Sequence, residues 1–350
     1  MGIDRYHRQQ ILPEIGAAGQ QRLAGARILL VGCGALGTTL ADLLVRAGVG
    51  TLRIVDRDLV EQTNLQRQVL FDEKDAAEGL PKAIAASRRL SKVNSSVQID
   101  PVVADLNAGN IQSLAIMDGR YVDLILDGTD NVATRYLIND FAVQQQISWI
   151  YGACVGTAGR VMAIWPGKTA CLRCIFPAPP SASELPACDT AGVLGPAAAA
   201  VASLEAAAAI RFLVEGAPTD LSRSPLISID VWNFQMRSLS SARPQPDCPC
   251  CAQREFPFLQ ADQNEVITTL CGRQTTQLQP PNGARNWDLS AAAVRLKQAG
   301  TVERSPWFVK CRLHEPAGVD LTLFPDGRVL MQGVTDPLRA KSIYARFIGV

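Results

Sequence analysis

The chain has 350 residues, 47% of them hydrophobic and 19% charged, with 34 basic side chains set against 33 acidic ones. This balance leaves no basic excess for a nucleic-acid partner, and the length allows one large domain with a smaller appendage. The longest apolar stretch, Pro196 to Leu204, is too short to span a bilayer and runs into Glu205 and Arg211, so it reads as a buried Ala-rich helix and no membrane partner is expected.

The opening segment carries Asp4, Arg5, His7 and Arg8 and lacks the apolar core of a secretory signal. A cytoplasmic location is therefore expected, with the ten cysteines reduced. Arg27 to Val31 reads as a β run, Ala35 to Ala47 as a helix and Thr51 to Val55 as a second β run, which together make a βαβ unit. Strand signals at Val97–Val103, Val122–Leu126 and Trp149–Tyr151, with helical segments between them, predict an α/β, doubly wound, mostly parallel sheet. A strand at Arg160–Trp165, a cysteine knuckle at 171–174, a Pro-rich loop at 176–196, a helix at 196–215 and a strand at 226–231 complete a first domain over residues 1–258.

The glycine-rich loop GCGALG (32–37) lies between the first strand and the first helix, where backbone N–H groups and the helix dipole can meet a phosphate or ribose. Asp56 ends the second strand, where a carboxylate can accept from ribose hydroxyls. On these two features alone the site suits an NAD-dependent oxidoreductase, and the glycines also suit close strand-to-helix packing.

The next segment, DRDLVEQTNLQRQVLF, shifts the reading by setting Asp58, Asn64, Gln66, Arg67 and Gln68 above the same crevice, with Lys82 some fifteen residues on. A triphosphate needs such cations as pyrophosphate departs, although Arg67 and Lys82 taken singly also suit an ordinary surface. LDGTDN (126–131) then places Asp127 and Asp130 at the carboxyl edge of the sheet. One can hold Mg²⁺ and the other can cap the helix beginning near Val132; Asp127 is assigned the structural role.

CLRC (171–174) and CPCC (248–251) supply two CxxC pairs if Cys248 and Cys251 are chosen, a donor set for tetrahedral Zn²⁺. Redox dithiols or buried thiols are the alternatives, and Cys250 is read as a bystander. Cys33 and Cys154 are expected to pack. His7 and His314 look peripheral, which argues against a His-based triad.

Together GCGALG, TNLQRQ (63–68), Lys82 and TDN (129–131) resemble the MoeB/ThiF/HesA family, bacterial relatives of ubiquitin-activating enzymes. The resemblance covers residues 4 to about 255. It implies ATP-dependent adenylylation of a ubiquitin-like sulfur-carrier protein ending in Gly-Gly, by a homodimer, with structural zinc on Cys171, Cys174, Cys248 and Cys251. The nucleotide site it implies comprises Gly32, Gly34, Ala35, Gly37, Asp56, Asp58, Thr63, Asn64, Leu65, Gln66, Arg67, Lys82, Asp130 and Asn131. Within it, Asp56 binds ribose, Asn64, Arg67 and Lys82 bind phosphates, and Asp130 holds magnesium. Arg8, in RYHRQ, is placed by the same likeness in the partner subunit's site. Ala35 departs from the family's GxGGxG loop and adds a methyl group beside the nucleotide.

Cys188, in PACDTAGVLGP, resembles the reactive cysteine of sulfur-transferring members, where a thiolate attacks the acyl-adenylate or carries a persulfide. An unreactive loop cysteine is the alternative. The sulfur donor would be a cysteine desulfurase or a separate rhodanese. Two other functions stay open: adenylylation of a different substrate, such as a peptide C-terminus or a tRNA base, and hydride transfer with NAD.

Residues 262–350 are expected to form a small α+β domain: strand 265–270, helix 288–298, strand 307–313, strand 320–324, a PDGR turn, strand 328–332 and helix 337–348. The domain does not look rhodanese-like, because Cys311 falls within a strand and Cys271 sits near the domain start.

Overall fold

The computed structural model describes residues 5–349 apart from 181–191, 218–219, 221–223, 240–242, 261–265, 271–274 and 280–286. Asp4, Cys188 and Cys271 thus lie outside the described residues. The chain forms two compact units, Met1–Gln260 and Ala261–Val350.

The first unit is built on eight strands: β1 (Arg27–Val31), β2 (Thr51–Asp56), β3 (Gln98–Val103), then a short ribbon of β4 (Ile116–Met117) and β5 (Arg120–Tyr121) apart from the main sheet, then β6 (Leu124–Asp127), β7 (Trp149–Val155), β8 (Ala158–Ile164), β9 (Leu226–Asp230) and β10 (Gln235–Leu239). Their order in the sheet is β10-β9-β8-β7-β6-β1-β2-β3. β3, β2, β1, β6 and β7 run parallel, and β8, β9 and β10 add antiparallel to β7. The expected doubly wound, mostly parallel sheet is therefore present. Its central strands are legible because each is buried on both faces: Ile28, Leu29, Leu30, Leu124, Ile125 and Leu126 have no exposed surface.

β1 is flanked by β2 on one side and β6 on the other, so the chain winds outward in both directions from this point. The crevice beyond the carboxyl ends of β1, β2 and β6 is the switch point at which such sheets bind ligands.

The Ala-rich helix spans Gly195–Glu215, 21 residues, and is long and apolar enough by composition to cross a membrane. Length therefore does not settle its role, contrary to the argument from Pro196–Leu204. Packing does: the helix lies on helix Ala35–Ala47 and on β7 and β8, with Val201 against Gly159 and Glu205 against Gly152.

The second unit is an antiparallel sheet ordered β11-β12-β16-β15-β14-β13, made of β11 (Val266–Leu270), β12 (Thr275–Gln279), β13 (Gly300–Arg304), β14 (Val309–Leu313), β15 (Asp320–Leu323) and β16 (Val329–Gln332). Leu278, Val309, Leu321, Val329 and Met331 form its core with Leu296, Ile343 and Tyr344 from helices Leu289–Leu296 and Pro337–Phe347. Both helices start on an aspartate cap: Asp288 accepts from the Ser290 and Ala291 N–H groups, and Asp336 from those of Leu338 and Arg339. Cys311 is buried in β14, its thiol donating to the Leu296 carbonyl at 3.7 Å.

Candidate functional site

At the tip of β1 the glycines divide by role. Gly32 has φ +88°, and a side chain there would lie 2.7 Å from the Gly128 carbonyl oxygen; one at Gly37 would run into the Gly32 carbonyl, and one at Gly128 would lie 2.9 Å from the Gly37 Cα. These three glycines let the GCGALG and LDGTDN loops touch backbone to backbone, which is the packing role the sequence left open. Gly34 is different: an added side-chain carbon there would meet nothing nearer than the Gln68 amide nitrogen at 3.9 Å. It is the residue before the helix Ala35–Ala47, and with half-buried Ala35 it forms the accessible part of the loop.

Asp56, at the end of β2, accepts from the Cys33 N–H at 2.6 Å through one oxygen and from the Asp58 N–H at 2.7 Å through the other. Each oxygen keeps a further lone pair for a hydroxyl. Burial pushes its carboxyl up, against the pull of the Lys82 ammonium. Cys33 is fully buried and so packs, as expected, and burial pushes its thiol up as well.

Lys82 opens the helix Lys82–Val93 and turns back over the strand tips, its Nζ 3.0 Å from Asp58 Oδ2. Burial disfavours the ammonium, but the Asp58, Asp56 and Asp130 carboxylates outweigh it and hold its pKa above the ordinary lysine value. Lys82 is therefore a charged, buried cation shared among three acids. Taken alone it suited an ordinary surface, and the fold removes that reading.

TNLQRQ follows as a short turn, Gln62–Asn64, closed by a reciprocal Glu61–Asn64 cap. Asn64 is buried, and its side-chain oxygen accepts from the Glu61 N–H at 3.0 Å. Arg67 is half-buried, with Nη1 on the Thr63 carbonyl at 2.9 Å, while Thr63 and Gln66 are exposed and Leu65 half-buried. The helix Gly195–Glu215 starts against this turn: a side chain at Gly195 would sit 3.1 Å from the Gln66 carbonyl oxygen.

LDGTDN splits as well. Asp127 is buried, with Oδ2 3.0 Å from Arg135 Nε and Oδ1 accepting from both the N–H and the hydroxyl of Thr129. Burial pushes it up, and Arg135 and Thr129 oppose that shift. The structural role assigned to Asp127 thus has its partner. The helix cap, however, is neither aspartate: Asn131 caps Val132–Gln145 by accepting from the Thr134 N–H at 3.2 Å. Asn131, expected to contact nucleotide, spends its side-chain oxygen on this cap. Asp130 is exposed and lies within electrostatic reach of Lys82 and Arg57.

Arg8 is not brought to this crevice. It sits exposed on the helix His7–Gln10, whose neighbours tie it to the far end of the sheet: the Asn94 amide donates to the Tyr6 hydroxyl at 2.8 Å, and Gln9 donates to the Ala47 carbonyl at 3.0 Å. Ala47 ends the 13-residue helix that the glycine loop begins, a separation of about 20 Å at 1.5 Å per residue.

Two buried residues beside the site were not foreseen. Arg135 also donates to the Thr129 carbonyl at 2.6 Å and the Gly152 carbonyl at 3.2 Å, joining β6 to β7. Glu205 has no exposed surface and no hydrogen bond to either carboxyl oxygen; burial, with Asp127 adding, pushes its pKa well above the ordinary value. Its one sequence signal is a charge set between apolar residues, at Leu204 and Ala206, in the Ala-rich helix.

Away from the crevice, Cys171, Cys174, Cys248 and Cys251 converge with their sulfur atoms all within 4.8 Å of one another. The contacts are 3.8 Å for Cys171 to Cys174, 3.7 Å for Cys171 to Cys248 and 3.4 Å for Cys174 to Cys251. Four sulfurs about 2.3 Å from a tetrahedral zinc would stand roughly 3.8 Å apart, so the donor set fits a thiophilic ion such as Zn²⁺ and leaves no open coordination position.

Residues 6–250 match the ThiF family. The sulfur carrier protein ThiS adenylyltransferase of Bacillus subtilis is 41% identical over 348 residues, covering 99% of both chains. The sulfur carrier protein adenylyltransferase of Thermus thermophilus is 40% identical over 264 residues, 73% of this chain and 94% of that one. Among solved structures, Escherichia coli MccB with ATP superposes with a TM-score of 0.60 at 25% identity, over 71% of this chain and 74% of that one. A glycine loop at the switch point, a buried lysine among three aspartates and three of the four converging cysteines stand within the matched region, and the chain belongs to the ThiF family.

Proposed function

We propose that this protein uses ATP to adenylylate the C-terminal Gly-Gly carboxylate of a ubiquitin-like sulfur carrier, releasing pyrophosphate, and then takes part in sulfur transfer to give a thiocarboxylate. The observation that carries this reading is the buried Lys82 ammonium at the switch point. A dinucleotide crevice has no use for a desolvated cation there, whereas charge builds on phosphate oxygens as pyrophosphate leaves. Asp56 accepts from the ribose hydroxyls, Asn64, Arg67 and Lys82 hold the phosphates, and Asp130, exposed beside Lys82, is the carboxylate suited to the Mg²⁺ that accompanies ATP.

The carrier is of the ThiS kind. Likeness to the Bacillus relative runs through residues 261–350 as well, whereas the match to the Thermus relative covers 73% of the chain. Zinc on the four cysteines is structural. The distance between Arg8 and its own glycine loop supports a homodimer in which Arg8 completes the partner's site. Cys188 is the sulfur relay: it lies four positions before Gly192, whose carbonyl accepts from Gly156, and the chain then passes Arg67 at Gly195. A cysteine desulfurase or a separate rhodanese is the donor, and the reaction takes place in the cytoplasm.

The test is exchange of labelled pyrophosphate into ATP, which should appear only when a Gly-Gly-ending carrier is added. Absence of exchange with every such carrier from the same genome would overturn the assignment.

A further inference from the structure

The segment CPCC offers two neighbouring thiols to one metal site, and the structure treats them differently. Cys251 Sγ is 3.4 Å from Cys174 Sγ, within the cluster. Cys250 also faces Cys171, but its sulfur accepts from the Asn139 side-chain amide at 3.2 Å and lies in hydrogen-bonding contact with the Asp140 carboxylate. Asn139, Asp140 and Cys250 have no exposed surface.

The same two residues hold the opposite knuckle. Asn139 Oδ1 accepts from the Leu172 N–H at 2.8 Å, between Cys171 and Cys174. Asp140 pairs with Arg173 at 3.4 Å and accepts from the Phe258 N–H at 3.2 Å, while Arg173 donates to the Glu255 carbonyl at 2.9 Å. Two adjacent side chains of helix Val132–Gln145 therefore join two halves of a cluster that are 77 residues apart in sequence.

We infer that Asn139, supported by Asp140, is a positioning residue for the metal site that holds Cys250 out of the coordination shell and so leaves Cys251 as the fourth ligand. This rests on the reading of the cluster as a zinc site. An amide N–H alone does not bar a sulfur from a metal, since Cys174 accepts one from Gln245, but the Cys250 sulfur is also packed against the Asp140 carboxylate, whose charge disfavours a thiolate there, and buried polar groups that are mutually satisfied resist exchange. Release of Cys250 would put a competing thiolate one residue from the true ligand.

The test uses the full chain loaded with Co²⁺ in place of zinc, because sulfur-to-cobalt charge-transfer absorption scales with the number of bound thiolates. Wild type and Cys250→Ser should give the same four-thiolate spectrum. Cys251→Ser should fall to about three quarters of that intensity, and Asn139→Ala combined with Cys251→Ser should recover the fourth thiolate through Cys250. Should Asn139→Ala not fold, Asn139→Ser in the same combination gives the same recovery, since its side chain is too short to bridge the knuckles. A drop in Cys250→Ser, or no recovery in the folded combination, overturns the selector role. A wild-type chain that loads neither cobalt nor zinc overturns the zinc reading and this inference with it.

Discussion

The Lys82 ammonium lies 3.0 Å from the Asp58 carboxylate with 6% of the lysine side chain exposed, against 33% for the aspartate. The pair is asymmetric: the cation is enclosed and the anion opens to solvent, so an arriving phosphate can share Lys82 without either partner leaving its place. Lys82→Ala should lower carrier-dependent pyrophosphate exchange by about 10²–10³, the usual effect of removing one preorganised charge-stabilising donor. Lys82→Arg should not restore it, because a planar guanidinium fork does not reproduce a compact ammonium at an enclosed position. Exchange rates measured beside a thermal melt separate this from unfolding, and an Ala variant that is folded and as active as wild type would remove Lys82 from the reaction.

Asp127 and Arg135 form a second enclosed pair beside the crevice, with Asp127 fully enclosed and 12% of the Arg135 side chain exposed. Asp127→Asn leaves the guanidinium without its counterion in a desolvated place, at a cost of about 3–5 kcal/mol. For a unit of this size that lowers the melting midpoint by roughly 10 °C. A midpoint that does not move would mean that Arg135 is satisfied by the Thr129 and Gly152 carbonyls alone.

How far the sequence was readable follows from where each residue finds its partners. β1, β2 and β6 announce themselves because strands covered on both faces must be apolar throughout. β10 does not, since every residue in it is exposed, and β12 and β13, TTQLQ and GTVER, lack the alternation that marks a half-buried strand. The helix Gly16–Gly25 holds three glycines and forms through packing of Gly19, Gln20 and Leu23, against its own propensity. At the site, the gathering of Asp56, Asp58 and Lys82 was legible because they stand at the end of a strand, just past it and at the start of a helix. Asn139 was not, because its partner Cys250 is far away in sequence, and neither were Arg135 and Glu205, whose enclosure depends on how the strands and the Ala-rich helix pack. Asn131 shows the opposite case: its side-chain oxygen finds a local partner in the Thr134 N–H, three residues on, a cap that the sequence reading gave to an aspartate.

Glu205 makes stability depend on pH in a direction opposite to most carboxylates. Its folded pKa is raised above the ordinary value of 4.5, so below that value both folded and unfolded chains carry the proton and no difference arises. As pH rises from there, the unfolded chain ionises while the folded one does not, and the folded state loses stability by about 1.4 kcal/mol per pH unit until the buried group itself titrates. Glu205→Gln keeps the volume and abolishes the titration. The melting midpoint of Glu205→Gln should therefore exceed that of wild type by a margin that grows from pH 5 to pH 7; parallel curves would show that Glu205 is not a neutral acid.

Cys188 is assigned to sulfur transfer and not to adenylylation, so Cys188→Ala should separate the two. Exchange should stay within about a factor of two of wild type, since no group at the α-phosphorus is removed, while thiocarboxylate on the carrier, read by mass spectrometry, should fall sharply. Both activities surviving unchanged would end the relay role.

The helix that carries Arg8 is tied to Ala47, about 20 Å along the helix Ala35–Ala47 from the glycine loop, so the proposed action of Arg8 in a partner's site can be tested by counting. Arg8→Ala and Lys82→Ala homodimers should each be inactive. In a one-to-one mixture with free exchange of subunits, half the dimers are mixed, and each has one site with its own Lys82 and the partner's intact Arg8. Recovery should reach about a quarter of wild-type exchange, as expected for a two-fold dimer with shared sites. Had Arg8 served its own subunit, every site in the mixture would lack either Arg8 or Lys82, and no activity would return.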